Sequence, residues 1–529
     1  MLASAALLAA GGAAHATSYN YSNLVVGGDG SSFNPLYIRT GDSLDVSGYL
    51  QIGVNGSGAL YQSAGIGVVA NLDIGHSTSN NSGNGLYVFS GGALHAGAIL
   101  IGTNGGSPNK ASTGTFSQHV GSVDLSSILY VGRDTNTTGS YNLYSGTLAS
   151  KDVIVGASGT GNFTQTDGTH TAESLALGDG YGAGVGTYTQ SGGTLTIQGQ
   201  FAVGRGKGTG SFVQSAGTVN TADGWGVSVG SGTSSSGSYT LSGSGTLNAK
   251  YEFIGVSGTG VFTQTGGSNN IGDTLYLAQA SGSSGSYNLN GGSLSVGRIF
   301  KGPGSSAFNI DGGSLTLSGS SIAADSVSLG ATKTSNFTLA AGKTLTTDSL
   351  TIGLRGTLVD HGTVQAGAVL LDGGTLGGAG SLNGALTARN GATVGVAGQI
   401  GTLTLNGSAS FDSSKLSFEI AGDSSFDKLV FNGAVDLGTT TQLRVSLTGG
   451  YTPAATTWYD LVDYGGAVSG SLVLSALPTL AAGRHWDTSR LYTTGELGLV
   501  VGAVPEPETW ALMLFGLVGL GFRARRRQT

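Results

Sequence analysis

One four-residue phrase (apolar, any residue, apolar, glycine) returns from one end of the chain almost to the other. A chain that repeats itself at short intervals is constrained to fold as a stack of like units. Near the middle the phrase reads Phe201-Ala202-Val203-Gly204; earlier copies include Leu50-Gln51-Ile52-Gly53, Leu72-Asp73-Ile74-Gly75 and Val153-Ile154-Val155-Gly156, and later ones Val227-Ser228-Val229-Gly230 and Leu350-Thr351-Ile352-Gly353. Successive closing residues lie 22 to 30 positions apart. Two copies, Glu252-Phe253-Ile254-Gly255 and Ile299-Phe300-Lys301-Gly302, depart from the pattern yet keep the rhythm. A second phrase runs about half a period away, as Asn162-Phe163-Thr164-Gln165, Thr187-Tyr188-Thr189-Gln190 and Ser211-Phe212-Val213-Gln214, with variants such as Ser140-Tyr141-Asn142-Leu143. Both phrases alternate large with small or polar residues, the period-two pattern of a strand with one buried face.

Only strand and turn signals fill each unit, so helices are not the repeating element. One unit cannot bury its own apolar face, and neighbours must stack in register around a continuous narrow core. Two or three short strands with tight turns in about 25 residues fit a parallel β-helix. A propeller blade, the second reading, needs four strands and about 40 to 50 residues. The expected fold class is therefore all-β: a parallel β-helix solenoid with a strand-rich C-terminal cap and a short C-terminal transmembrane helix.

Composition agrees. Glycine supplies 98 of 529 residues, yet there is no G-X-Y period and there are only seven prolines, which excludes collagen. Charged residues make up 10 % and hydrophobic residues 39 %, with a mean hydropathy of +0.13, the reverse of the low hydrophobicity and high net charge of disordered chains. Glycine is turn chemistry here. A net charge of −7 with no lysine- or arginine-rich stripe in the body argues against nucleic acid as a partner. The absence of cysteine removes disulfides and thiolate metal sites.

Along the chain, residues 1–16 read as a secretory signal: an apolar run from Leu2 to Ala14, then the A-x-A pattern Ala14-His15-Ala16 before Thr17. No basic residue precedes the run, which departs from the usual signal. Residues 17–48 are irregular and are expected to cap the first coil. Repeats occupy 49–407; about 14 to 16 coils at the ~4.8 Å strand spacing give an array roughly 70 Å long. A C-terminal β cap is expected over 408–502. Segments from 374 to 429, GTLGGAGSL, GQIGTLTLNG, Phe418-Glu419-Ile420 and Asp427-Lys428-Leu429, resemble the C-terminal passenger region of bacterial autotransporters. That resemblance implies a β-helix ending in a strand-rich cap, with Trp458, Tyr459 and Trp486 as its larger core residues. It departs from that family in that a short tail stands where a membrane barrel follows.

The tail, 503–529, has three parts: Pro505-Glu506-Pro507, an apolar run over 510–522, and Arg523, Arg525, Arg526 and Arg527. It resembles a PEP-CTERM sorting signal, which implies processing by an exosortase-type membrane protease. The prolines keep the motif extended. The apolar run is short against the ~20 residues of a spanning helix, and the arginines favour the cytoplasmic side.

The parallel β-helix families that the repeats resemble include polysaccharide lyases and hydrolases, and a glycosidase needs two carboxylates across a cleft. Asp73, Asp134, Asp152, Asp167 and Asp179 lie scattered along the coils, where solvated positions are expected. His76, His95, His119 and His170 form no H-x-x-x-H pair and read as isolated surface or turn residues. Gly204-Arg205-Gly206-Lys207-Gly208 lacks the Ser or Thr of a P-loop and reads as a turn. Tyr130 and Tyr276 point outward, where they could stack on sugar rings, but cross-strand packing on a sheet surface is the preferred reading. No catalytic residue, cofactor or metal is expected. The sequence points to an exported surface or matrix protein of structural or adhesive function, not an enzyme, transiently held in the membrane. Exopolysaccharide is a further candidate partner. The alternative is a polysaccharide-modifying enzyme on the same scaffold.

Overall fold

The computed structural model describes residues 3–4 and 16–501, apart from 29–33, 79–80, 106–109, 181, 223, 396–398 and 454–455. The described strands form a parallel β-solenoid of about 17 turns, slightly more than the sequence spacing suggests. The chain divides into two compact units, one essentially residues 1–370 and the other chiefly 371–529.

In the first unit each phrase pairs in parallel with its copy one coil on. Thr160–Gln165 runs beside Val185–Gln190, and that beside Thr209–Gln214, without a slip. The Phe201 phrase lies likewise between Leu175–Leu177 and Val227–Val229. The alternation resolves as the period-two pattern requires: Gly161, Phe163 and Gln165 face inward while Asn162 and Thr164 face outward. Inward rings alternate between tyrosine and phenylalanine from Tyr87 through Phe116, Tyr141, Phe163, Tyr188, Phe212, Tyr239 and Phe262 to Tyr287. From Phe116 to Tyr287 they stack with centroids 4.4 to 4.9 Å apart.

A buried glutamine ladder accompanies the rings. The Gln165 Nε2 donates to the carbonyls of Gly168 and of Thr194 on the next coil, at 3.2 and 3.1 Å, while its Oε1 accepts from the Tyr188 hydroxyl at 2.7 Å. Gln118, Gln214 and Gln264 repeat this with Tyr141, Tyr239 and Tyr287. Gln190 is the exception, because the ring above it is Phe212, and its Oε1 makes no hydrogen bond within the chain. The closing glycine of the first phrase is dictated twice over. Gly156 has φ +72°, and a Cβ on it would sit 2.1 Å from the Val185 carbonyl oxygen of the next coil.

The solenoid begins earlier than the expected cap. Ser18–Tyr21, Leu24–Gly28 and Leu36–Ile38 already pair in parallel with the coil that follows them. The second unit also continues as coils beyond residue 408: Thr393–Gly395, Lys415–Gly422 and Gln442–Leu447 form one parallel face, and Thr402–Leu405, Lys428–Phe431 and Val462–Tyr464 another. A separate antiparallel sheet of Thr457–Asp460, Arg484–Asp487 and Glu496–Val501 forms the strand-rich end. Tyr459 is its fully buried ring, whereas Trp458 and Trp486 are half-buried. The Arg490 guanidinium lies 4.1 Å from the Trp458 ring centroid, which explains why that indole stays near the surface.

Candidate functional site

The acidic residues of the first unit are mostly tied, not merely solvated. Asp73 is buried; its Oδ1 accepts from the Thr103 hydroxyl at 2.7 Å and its Oδ2 lies 2.9 Å from His76 Nδ1. That hydrogen bond raises the His76 pKa despite its partial burial. His76 Nδ1 also lies 2.8 Å from Thr103 Oγ1, so the Thr103 hydroxyl of the next coil touches both members of a pair that lies within one strand. Asp134 accepts from the Asn104 backbone N–H at 3.0 Å, Asp152 from the Ser174 hydroxyl at 2.5 Å, and Asp179 holds Arg205 in a two-pronged pair at 2.8 and 2.5 Å. Asp167 is exposed as expected. These contacts bridge neighbouring coils. Among the described residues, no group of three or more His, Asp or Glu could hold a metal ion.

The histidines divide. His95 is exposed, 3.6 Å from Asp124, and His119 stacks on Tyr144 at 4.7 Å. His170 is neither a surface nor a turn residue. It sits inside the coil, where its register neighbours are Leu148 and Leu195, and stacks on Phe163 at 5.0 Å. Its Nδ1 lies 3.1 Å from the Tyr188 hydroxyl, its Nε2 has no partner, and burial lowers its pKa to about 3.

A second inward polar group was hidden in the irregular phrase at 252. Glu252 occupies the position held by Val227 and Leu275 on adjacent coils, and Asn269 that of Leu247 and Leu294. Asn269 Nδ2 donates to Glu252 Oε2 at 3.2 Å and to the Tyr287 hydroxyl oxygen at 3.0 Å. Burial pushes the Glu252 carboxyl up to about 8, against a smaller opposing effect of the Asn269 hydrogen bond. A neutral acid at that depth is the form this environment accepts. Aligning the repeats column by column would have exposed both His170 and Glu252, because each replaces an aliphatic residue.

Of the expected processing residues, Ala14 lies outside the described residues, and Ala16 and Thr17 are exposed. The Thr17 carbonyl accepts from Ser43 N–H at 2.9 Å, so the first paired strand starts directly after the expected cleavage point. Pro505, Glu506, Pro507, Arg523, Arg525, Arg526 and Arg527, and the expected transmembrane helix over 510–522, lie outside the described residues. No helix among the described residues is long and apolar enough to cross a membrane.

Compared with protein-family models, residues 503–527 match the PEP-CTERM protein-sorting motif. The tail is a PEP-CTERM sorting signal. The PEP-CTERM motif implies exosortase-dependent export to the cell surface or extracellular space, with exosortase, a membrane protease, as the processing partner. No curated protein matches the chain.

Proposed function

We propose that this is a structural or adhesive component of the cell surface or extracellular matrix, delivered by its PEP-CTERM signal and without enzymatic activity. The observation that carries the reading is the sorting motif at 503–527 on a body of stacked coils. The body's polar side chains support it, since Asp73, Asp152, Asp179 and Arg205 act as ties between coils. A solenoid so tied offers a long repetitive surface, which suits scaffolding. Before processing, the apolar run at 510–522 holds the chain in the bilayer with the arginines inside, and Pro505-Glu506-Pro507 is presented just outside.

Two measurements test this. Deleting 503–529 in the native host is expected to remove the protein from the surface fraction. The purified chain is expected to release no reducing ends or unsaturated products from a panel of neutral and acidic polysaccharides. Product formation abolished by changing a single aspartate would install the polysaccharide-modifying alternative instead.

A further inference from the structure

The outer surface of the coils between residues 218 and 301 joins an amide ladder to a cluster of aromatic rings. Asn220, Asn248 and Asn270 occupy one register column, which continues to Ser295. Asn270 Nδ2 donates to Asn248 Oδ1, and Asn248 Nδ2 to Asn220 Oδ1, each at 2.9 Å. A carboxamide has two N–H donors and two acceptor lone pairs. The middle amide of the ladder therefore keeps one donor and one acceptor site, and the end amides keep more. These residues, with Lys250 and Gly272, line an open groove of about 450 Å³.

The rings begin at the groove's edge. Lys250 lies 5.4 Å from the Tyr251 centroid, and Tyr251 is 6.3 Å from Phe253 and 6.4 Å from Tyr276. Phe253, Tyr276 and Phe300 share a register column on three successive coils; the first two stack at 4.8 Å and Phe300 stands edge-on to Tyr276 at 5.7 Å. One coil earlier, Trp225 adjoins Gly226, which lies so close to the next coil that a Cβ on it would sit 1.9 Å from the Tyr251 carbonyl oxygen. Trp225 and Phe300 are 60 % and 49 % exposed. None of these rings serves the core, which is filled on the same strands by Val227, Ile254, Leu275 and Ile299.

We propose that this corner binds a neutral polysaccharide, with sugar faces against Trp225, Tyr276 and Phe300 and sugar hydroxyls on the asparagine ladder. A sugar ring presents C–H faces to aromatic rings and hydroxyls to amides, which is the pairing the corner offers. Rings left in water forgo the roughly 25 cal/mol per Å² that covering them returns. Lys250 is the sole charged residue lining the groove, and no second cation stands in it to select an anionic chain. The amides and rings recur once per coil, at the ~4.8 Å spacing of stacked strands, so a polymer of like units lying along the stack engages several copies at once.

This site rests on the adhesive reading of the body, and the experiment separates the two. The full chain is run by affinity electrophoresis through gels containing dextran, laminarin, barley β-glucan or galactomannan, with alginate and polygalacturonate as charged comparators. Retardation by at least one neutral polysaccharide is expected, weakened about tenfold or more by Trp225→Ala and by Phe300→Ala. Both side chains are exposed, and unchanged melting confirms that the fold is kept. Tyr37→Ala, in an exposed stack with Tyr61 elsewhere in the unit, is expected to leave retardation unaltered. Retardation that survives both substitutions overturns this site while the adhesive reading stands. Retardation only by the charged polymers overturns the neutral-chain assignment, and none at all overturns the site together with glycan adhesion.

Discussion

The two compact units build coils from the same strands and turns but specify them differently. In the first, a ladder of alternating tyrosine and phenylalanine rings runs from Tyr87 to Tyr287, with glutamines bridging successive coils. In the second, parallel coils are filled by aliphatics such as Leu376, Val394, Leu416 and Leu443, and the rings Phe411 and Phe431 meet edge-on at 5.9 Å. Aliphatic burial suffices to make a coil. What the ring and glutamine ladders add is register, because a one-residue slip would turn every ring and amide to the solvent face. The second unit closes with an antiparallel sheet instead of repeating its coils.

The largest way to break this comparison is to charge the core of the first unit. Val203→Asp buries an unpaired carboxylate in a fully enclosed column, at a cost of several kcal/mol. The strand signal in circular dichroism is expected to collapse at temperatures where the wild-type chain keeps it. Wild-type melting would show that Val203 does not face inward.

Two of the buried titratable groups, Glu252 and His170, should tilt stability in opposite directions. Glu252 has a folded pKa near 8 against an ordinary 4.5, so the unfolded chain ionises first. Stability is lost as pH rises from about 4.5 to 8 and stays low above, by on the order of 5 kcal/mol. His170, lowered to about 3 from 6.5, remains neutral in the fold while the unfolded chain takes a proton. Its contribution falls away as pH drops through that window, by an amount of similar order. Glu252→Leu is expected to flatten the alkaline side of a stability profile measured by chemical denaturation, and His170→Leu the acid side. Profiles unchanged by both substitutions would place these side chains in water.

The smallest effect sharpens the ladder itself. Gln118→Leu removes the acceptor of the Tyr141 hydroxyl and two amide hydrogen bonds to the Gly121 and Thr147 carbonyls, costing about 1–3 kcal/mol. Gln190→Leu should cost less, because no tyrosine stands above it, and Phe212→Tyr should recover about 1 kcal/mol by supplying the missing donor to Gln190 Oε1. Equal losses for the two glutamines would remove the tyrosine from the account.

Much of this was legible in the sequence. The spacing of Val203 and its copies specifies parallel coils, because strand phrases at one period can stack only in register. The rings at Phe163 and Tyr188 were visible as variants of one phrase, but their alternation was not used, although tyrosine follows a coil with glutamine at 118, 165, 214 and 264. His170 was misread because a polar residue suggests a surface, whereas here the register places it inside; Glu252 was seen as a departure from the phrase, but its burial was not drawn from the column it occupies. The coil at Ser18–Ile38 was read as a cap because its repeats look irregular and Asn34-Pro35 interrupts them, although Leu24-Val25-Val26-Gly27 carries the glycine phrase. The aromatic corner was less legible still: Tyr251, Tyr276 and Phe300 come together only through the stacking of coils.

The central claim is that a solenoid is exported and released from its membrane-held tail by processing at the sorting motif, and intact-mass measurement of the mature protein from its native host tests it most directly. The account predicts a chain that begins near Thr17 and lacks everything from Trp510 onward, with a longer, membrane-held form when Pro505 and Pro507 are changed to alanine. A mature chain that still ends in Thr529 would contradict it.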